Sequence, residues 1–213
     1  MSLGLSGSHR TGKSTLARAF AEYEGIPFVQ TTASAVFKAM GVSPSETLPM
    51  GKRLEVQRRI LDEFDRLYSN AGAQLFVTDR TPIDLMAYTM VEIGQAMLTP
   101  KDERALYDYT DDCMQVLNRH FSTVVLVSPA IPLIAEEGKA SLSRPFIDHL
   151  ALVIEGLCLM PQVAPKVYRI PRFQVDIADR VESLCSIVEK RAVEHAAKMK
   201  LTEEYTGQPV IYH

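Results

Sequence analysis

The chain has 213 residues, 46% hydrophobic and 23% charged, with 23 Lys and Arg against 26 Asp and Glu for a formal net charge of −3. That length and apolar content suit one globular domain and exclude a disordered or fibrous chain. The slight acidity argues against nucleic acid held by bulk charge, so contact with DNA or RNA would need a local basic site. The charge is also uneven: no Asp or Glu precedes Glu22, whereas Arg10, Lys13 and Arg18 all fall in that stretch.

A strand over residues 2–6 opens the chain, followed by a glycine turn and a helical pattern with Leu16, Phe20 and Tyr23 on one face. A short strand at 27–30 and a small helix at 33–40 come next, and a loop with two prolines and two glycines fills 41–51. The helix predicted over 53–70 turns Ile60, Leu61, Phe64, Leu67 and Tyr68 inward. On its other face Arg58 with Asp62 and Arg59 with Glu63 predict solvated i, i+4 pairs. Residues 74–78 are a compact apolar run ending at Asp79, the pattern of a buried parallel strand. Pro82 starts a helix and Thr99 caps another. A buried strand at 124–127, an irregular segment at 130–143, a helix opening at Arg144 and a strand at 167–170 follow. Asp176 then caps a long helix with the apolar stripe Ile177, Val181, Leu184, Val188 and Ala192. The alternation predicts an α/β fold, a parallel sheet of about five strands with helices on both faces. It forms one domain over 1–200, with 201–213 as a loosely attached tail.

Cys113, Cys158 and Cys185 are far apart and form no C-x-x-C pair, which suits buried thiols in a reducing compartment rather than disulfides or a zinc site. No charged stretch followed by an apolar core marks a signal peptide, and the most apolar segment, 150–160, is too short for a bilayer and contains Glu155. The expected location is the cytoplasm, without membrane partners. His120, His149, His195 and His213 show no ligand spacing.

Gly7-Ser8-His9-Arg10-Thr11-Gly12-Lys13-Ser14 matches G-x-x-x-x-G-K-S/T in full, between a strand and an amphipathic helix. Glycines let successive backbone N–H groups face phosphate oxygens, and the helix adds its positive end. Lys13 then reaches the β- and γ-phosphates, Ser14 offers a hydroxyl to Mg²⁺, and Thr15 adds a contact to the α-phosphate. These residues predict ATP and Mg²⁺ as cofactors and a P-loop NTPase fold. Asp79, at the end of its strand, is placed to hold Mg²⁺ directly or through water. Read as structure alone, it caps the helix after Pro82.

The P-loop, the Asp79-Arg80 pair after the third strand and an arginine-containing lid resemble nucleoside and nucleotide kinases of the thymidylate-kinase type. That resemblance implies that Arg80 meets the acceptor's phosphate or the transferring group. Thr81 stands where thymidylate kinases usually carry an aromatic residue. GSHRTGKSTLA and DRTPIDLMAY are also similar to phage-type P-loop kinases, including those that phosphorylate 5-hydroxymethyluracil within DNA. The same resemblance places a lid at 130–144, with Arg144 as the first cation to meet the transferring phosphoryl group and Lys139 as the second. It places an adenine-binding loop at Pro171-Arg172-Phe173, where Arg172 would stack on the base. Solvated loop charges are the structural alternative for all three.

His9 and Arg10 fill the variable P-loop positions and are candidates to face the acceptor. Asp84 is a candidate to orient an acceptor hydroxyl, or else an acid in a helix's first turn. Deoxynucleoside kinases are expected to carry a base carboxylate after the second strand, where this chain has Gln30, Thr31 and Thr32. That argues against an ordinary nucleoside kinase, and the resemblance to phage-type kinases implies a hydroxymethylated pyrimidine in DNA as the favoured acceptor. Arg10, Lys52, Arg53, Arg58 and Arg59 are its local basic site if they share the acceptor mouth; otherwise the last four belong to one salt-bridged helix. The alternatives are a free nucleoside or nucleoside monophosphate, and an ATPase switch with no acceptor. Against the switch stand the lack of N-K-x-D and L-S-G-G-Q motifs and of room for a helical lid domain. Homodimerisation is left open.

Overall fold

The computed structural model describes residues 2–43, 46–72, 75–93, 98–131 and 143–206. Five parallel strands form its sheet: β1 (Leu3–Ser6), β2 (Phe28–Val29), β3 (Val77–Thr78), β4 (Thr123–Val127) and β5 (Lys166–Ile170). Their order is β2-β3-β1-β4-β5. The chain leaves β1 to build one side of the sheet and later crosses to build the other. The carboxyl end of β1 is thus a topological switch point, where open parallel sheets form ligand crevices.

Alternation along the strands feeds two cores. Leu3, Leu5, Val77, Val125, Val127 and Ile170 face α1 (Lys13–Glu24) and α7 (Ile177–Thr206) on one side. Phe76, Val124 and Leu126 face the other side. There they meet α3 (Met50–Asn70), α4 (Pro82–Ile93), α5 (Pro100–His120) and α6 (Arg144–Cys158), with α2 (Ala33–Ala39) packed at the margin. Leu16 and Phe20 of α1 are completely buried, worth about 1.5–3 kcal/mol apiece. That burial holds the helix behind the P-loop against the sheet.

Helix starts follow the sequence closely. The Thr99 hydroxyl accepts from Asp102 N (3.2 Å), and Asp176 accepts from Ala178 N (2.8 Å). Other expectations need correction. Tyr23 is 73% exposed and lines an open groove with Ala19, Val181 and Cys185, because α1 buries the Leu16, Ala17, Phe20, Ala21 stripe instead. Arg58 does not pair with Asp62; it reaches across to Asp112 of α5 and lies over the Tyr109 ring. Glu63 pairs with Arg66 (2.6 Å). On α7 the only fully buried apolar residue of the predicted stripe is Leu184, and the helix runs on through residues 201–206. Residues 207–213 lie outside the described residues.

Cys113 and Cys158 are buried free thiols, and burial pushes both up to about 12. Cys185 is half-buried and pushed up to about 11. Among the described residues no helix is long and apolar enough to cross a membrane.

Candidate active site

The P-loop leaves β1 at Ser6 and enters α1 through Gly12, whose φ of 79° is left-handed. Gly7 is needed for a different reason: a Cβ there would lie 2.4 Å from the Val127 carbonyl oxygen. Arg10 also adopts a positive φ (64°), which costs a non-glycine residue about 1–2 kcal/mol. Inside the loop, Thr11 Oγ1 donates to the Ser8 carbonyl (3.1 Å), and Ser8 Oγ is buried without a partner. Lys13 is buried and folded back, Nζ donating to the carbonyls of Gly7 (2.5 Å) and Ser8 (2.7 Å). Burial pushes Lys13 down to about 8, against the pull of Asp84 and Asp79 and with the help of Arg80 and Arg180.

Asp79 meets the loop at the start of α1. Ser14 Oγ donates to Asp79 Oδ2 (2.5 Å), while Thr31 donates to Oδ1 from its amide (3.2 Å) and hydroxyl (2.9 Å). The hydroxyl–carboxylate pair is a hard-oxygen donor set of the kind Mg²⁺ uses beside phosphate. Ser14 and Thr15 remain exposed at the helix start. Thr31 anchors the acid from the segment after β2, where a base carboxylate was sought.

Asp84 and Thr81 have structural duties. Asp84 is completely buried; its Oδ1 accepts from Gly7 N (3.1 Å) and its Oδ2 from Thr81 N (3.0 Å). It therefore pins the P-loop to the start of α4, both carboxylate oxygens already accepting from backbone N–H groups. Thr81 is buried too, its hydroxyl 2.5 Å from Ser6 Oγ and accepting from Ile83 N (3.2 Å).

The aromatic side chain beside this corner is Tyr88, one helical face along α4. The Arg80 guanidinium lies 5.5 Å from the Tyr88 ring centre. Burial works against the Arg80 charge, but Tyr88, Asp84 and Asp79 hold it above the usual arginine range. Tyr88 Oη lies 3.1 Å from His9 Nδ1, and the two rings stack at 6.3 Å. Phe146 of α6 closes on His9 at 5.7 Å. His9 thus packs between Tyr88 and Phe146 at the edge of the P-loop. Arg53–Glu92 (2.7 Å) and Tyr68 Oη–Arg80 O (2.9 Å) tie α3 to α4 on either side of Gln57. Gln57 is buried, with Oε1 unpartnered.

The remaining predicted cations are elsewhere. Arg144 Nε donates to Asp148 (2.8 Å) and Arg172 donates to the same carboxylate (3.3 Å), which holds it below the usual range. Arg172 thus forms a surface ion pair here. Lys139 and most of the expected lid lie outside the described residues. The basic cluster is neutralised along α3: Lys52 pairs with Glu55 (3.0 Å), Arg53 with Glu92 and Arg58 with Asp112. Arg59 is exposed.

The periodicity reading passed over Arg180. It is 2% exposed, and one guanidinium nitrogen donates to the Thr11 carbonyl (3.0 Å). Its signal was its spacing, in line with Leu184 and Val188 at i+4 and i+8.

A family model described as an AAA domain matches residues 4–137, more than half of the chain and all of the P-loop and Asp79-Arg80 region. The chain belongs to this AAA-domain family. No curated protein matches the sequence. Among solved structures, the AAA-domain chain resembles deoxyadenosine kinase from M. mycoides with the products dCMP and dCDP bound, at 13% identity and TM-score 0.66, covering 89% of this chain and 100% of that one. A NadR protein in complex with NR gives 17% and 0.62, with all of this chain covering 52% of that one. Thymidylate kinase from Ehrlichia chaffeensis gives 12% and 0.53, covering 88% and 98%. At these identities the likeness establishes the P-loop α/β fold. The AAA description specifies a nucleotide-binding core and names no acceptor.

Proposed function

We propose that this AAA-domain protein is an ATP-dependent kinase that transfers a γ-phosphoryl group to a free nucleoside or nucleoside monophosphate. The observation that carries the reading is the His9–Tyr88–Phe146 cluster, built onto the P-loop itself with Arg80 at its edge. A site that only hydrolyses ATP needs water beside the γ-phosphate, whereas aromatic faces there suit a planar ring. The resemblance of the motifs to nucleoside and nucleotide kinases, and the fold shared with deoxyadenosine and thymidylate kinases, support the same acceptor class.

Phosphoryl transfer asks the protein mainly for position and charge. Ser14 and Asp79 would hold Mg²⁺, which when bound neutralises phosphate charge. Among the described residues no group of three or more His, Cys, Asp or Glu is placed to hold an ion, so phosphate oxygens would complete the shell. Lys13 leaves the Gly7 and Ser8 carbonyls to meet the β- and γ-phosphates. Arg80 faces the acceptor side, and Arg144, paired with Asp148 here, is the further cation that the kinase resemblance offers.

The 5-hydroxymethyluracil-in-DNA reading rests on motif similarity and on the Gln30-Thr31-Thr32 stretch that lacks the base carboxylate expected of deoxynucleoside kinases. Its basic site is weakened by the acid partners of Lys52, Arg53 and Arg58. A transfer assay with labelled ATP separates the acceptors, using deoxynucleosides, thymidine monophosphate and an oligonucleotide containing 5-hydroxymethyluracil. Label is expected in a free nucleoside or monophosphate; label in the oligonucleotide alone overturns this reading, and ATP hydrolysis without any labelled acceptor favours the switch.

Two variants probe the acceptor wall. Tyr88→Leu is expected to raise the acceptor KM about tenfold or more, with the ATP KM within about twofold. Gln57→Leu is expected to weaken the acceptor similarly without lowering Tm, because it removes a buried carbonyl that has no partner. Equal changes in both KM values would place these side chains outside the acceptor pocket.

A further inference from the structure

Arg180 reaches the P-loop from α7, on the far side from Asp79 and Arg80. Among the described residues its side chain makes one hydrogen bond, to the Thr11 carbonyl, and its Nε has no partner. Among the described residues no carboxylate pairs with it, and burial moves it below the usual arginine range. A buried guanidinium without a counter-charge is costly and calls for an anion that arrives later. The second cation nearby, Lys13, is also buried, which sharpens the deficit of negative charge around the loop.

The contact is placed to act on the loop. In a trans peptide the C=O and N–H point in opposite directions, and a hydrogen bond to one end makes the other a stronger partner. Arg180 donates to the carbonyl of the Thr11–Gly12 peptide, so the Gly12 N–H at its other end becomes a better donor. The guanidinium also packs on Gly12: a Cβ there would lie 3.2 Å from Arg180 Nη1 and 3.3 Å from Ile131 Cδ1.

We propose that Arg180 is a positioning residue and second fixed cation of the nucleotide site. It holds the Thr11–Gly12 peptide for phosphate, and the polyphosphate of the bound nucleotide completes its charge. This rests on the ATP reading above. It makes the chemistry recognised at this edge that of the phosphate chain and not of the base.

The test is equilibrium binding of ATP, inorganic tripolyphosphate and adenosine to the wild-type protein, Arg180→Met, Arg180→Gln and Arg180→Lys. Arg180→Met is expected to weaken ATP and tripolyphosphate by about ten- to hundredfold while adenosine stays within about twofold. Arg180→Lys should recover most of that loss. Arg180→Gln keeps a donor for Thr11 and drops the charge, so it should recover only a small part of the loss and stay well below Arg180→Lys, and it takes over if Arg180→Met does not fold. Wild-type affinity for ATP in Arg180→Gln overturns the proposal, as does an equal loss for adenosine. Wild-type protein that binds neither ATP nor tripolyphosphate removes the nucleotide reading itself, and this proposal with it.

Discussion

Lys13→Met is expected to lower phosphoryl transfer by about 10²- to 10³-fold or more while making the folded, ligand-free protein less dependent on pH. Lys13 is buried beside Arg80 and Arg180, and burial takes it from 10.5 to about 8. That difference corresponds to about 3 kcal/mol, a cost the ligand-free fold carries in full below pH 8. Between about pH 8 and 10.5 the folded protein has shed the Lys13 proton and the unfolded chain still holds it, so stability rises with pH across that window. The variant lacks this rise. Melting wild type and Lys13→Met from pH 7 to 10 should show the wild type gaining on the variant; parallel curves would show that Lys13 is not the titrating group. ATP reverses the preference, because polyphosphate favours the charged amine. Wild-type affinity for ATP should therefore fall as pH rises above 8.

The phosphate end of this site is legible in the sequence because its residues are consecutive. Eight positions from Gly7 to Ser14 carry the loop, and the apolar run ending at Asp79 announces the acid opposite it. The fold is legible for a related reason: buried parallel strands are short apolar runs, and Val124 to Val127 reads as one. What periodicity misses is assembled from distant segments. Tyr88 takes on an aromatic role only because Asp84 and Thr81 pin α4 against the loop and leave the next face toward His9. Arg180 sits on an apolar stripe, where a rule that counts hydrophobic positions discards it. Surface pairs are equally invisible: Arg58 has an acid at i+4, yet α5 offers Asp112 from another helix. The charge pattern read at the start has a physical counterpart here. The acid-free opening segment builds the loop around Lys13, and the nearby carboxylates, Asp79 and Asp84, are brought in from β3 and α4 with their oxygens already engaged by donors.

Asp79→Asn separates the metal site from the fold. The amide oxygen of Asn can keep both Thr31 bonds, since Thr31 N and Oγ1 share one carboxylate oxygen. The other position becomes an NH₂ group that donates to Ser14 Oγ instead of accepting from it. Packing and local hydrogen bonding are preserved, so Tm should change little. What is lost is the negative charge that would hold Mg²⁺ and a Ser14 lone pair that would face the ion. Transfer is expected to fall by about 10²- to 10³-fold, and the Mg²⁺ concentration for half-maximal activity to rise. A titration of activity against Mg²⁺ for wild type and Asp79→Asn checks both. If the variant keeps wild-type Mg²⁺ dependence, Asp79 serves only to tie the β2 segment to the P-loop through Thr31, and the cation must be held by other groups.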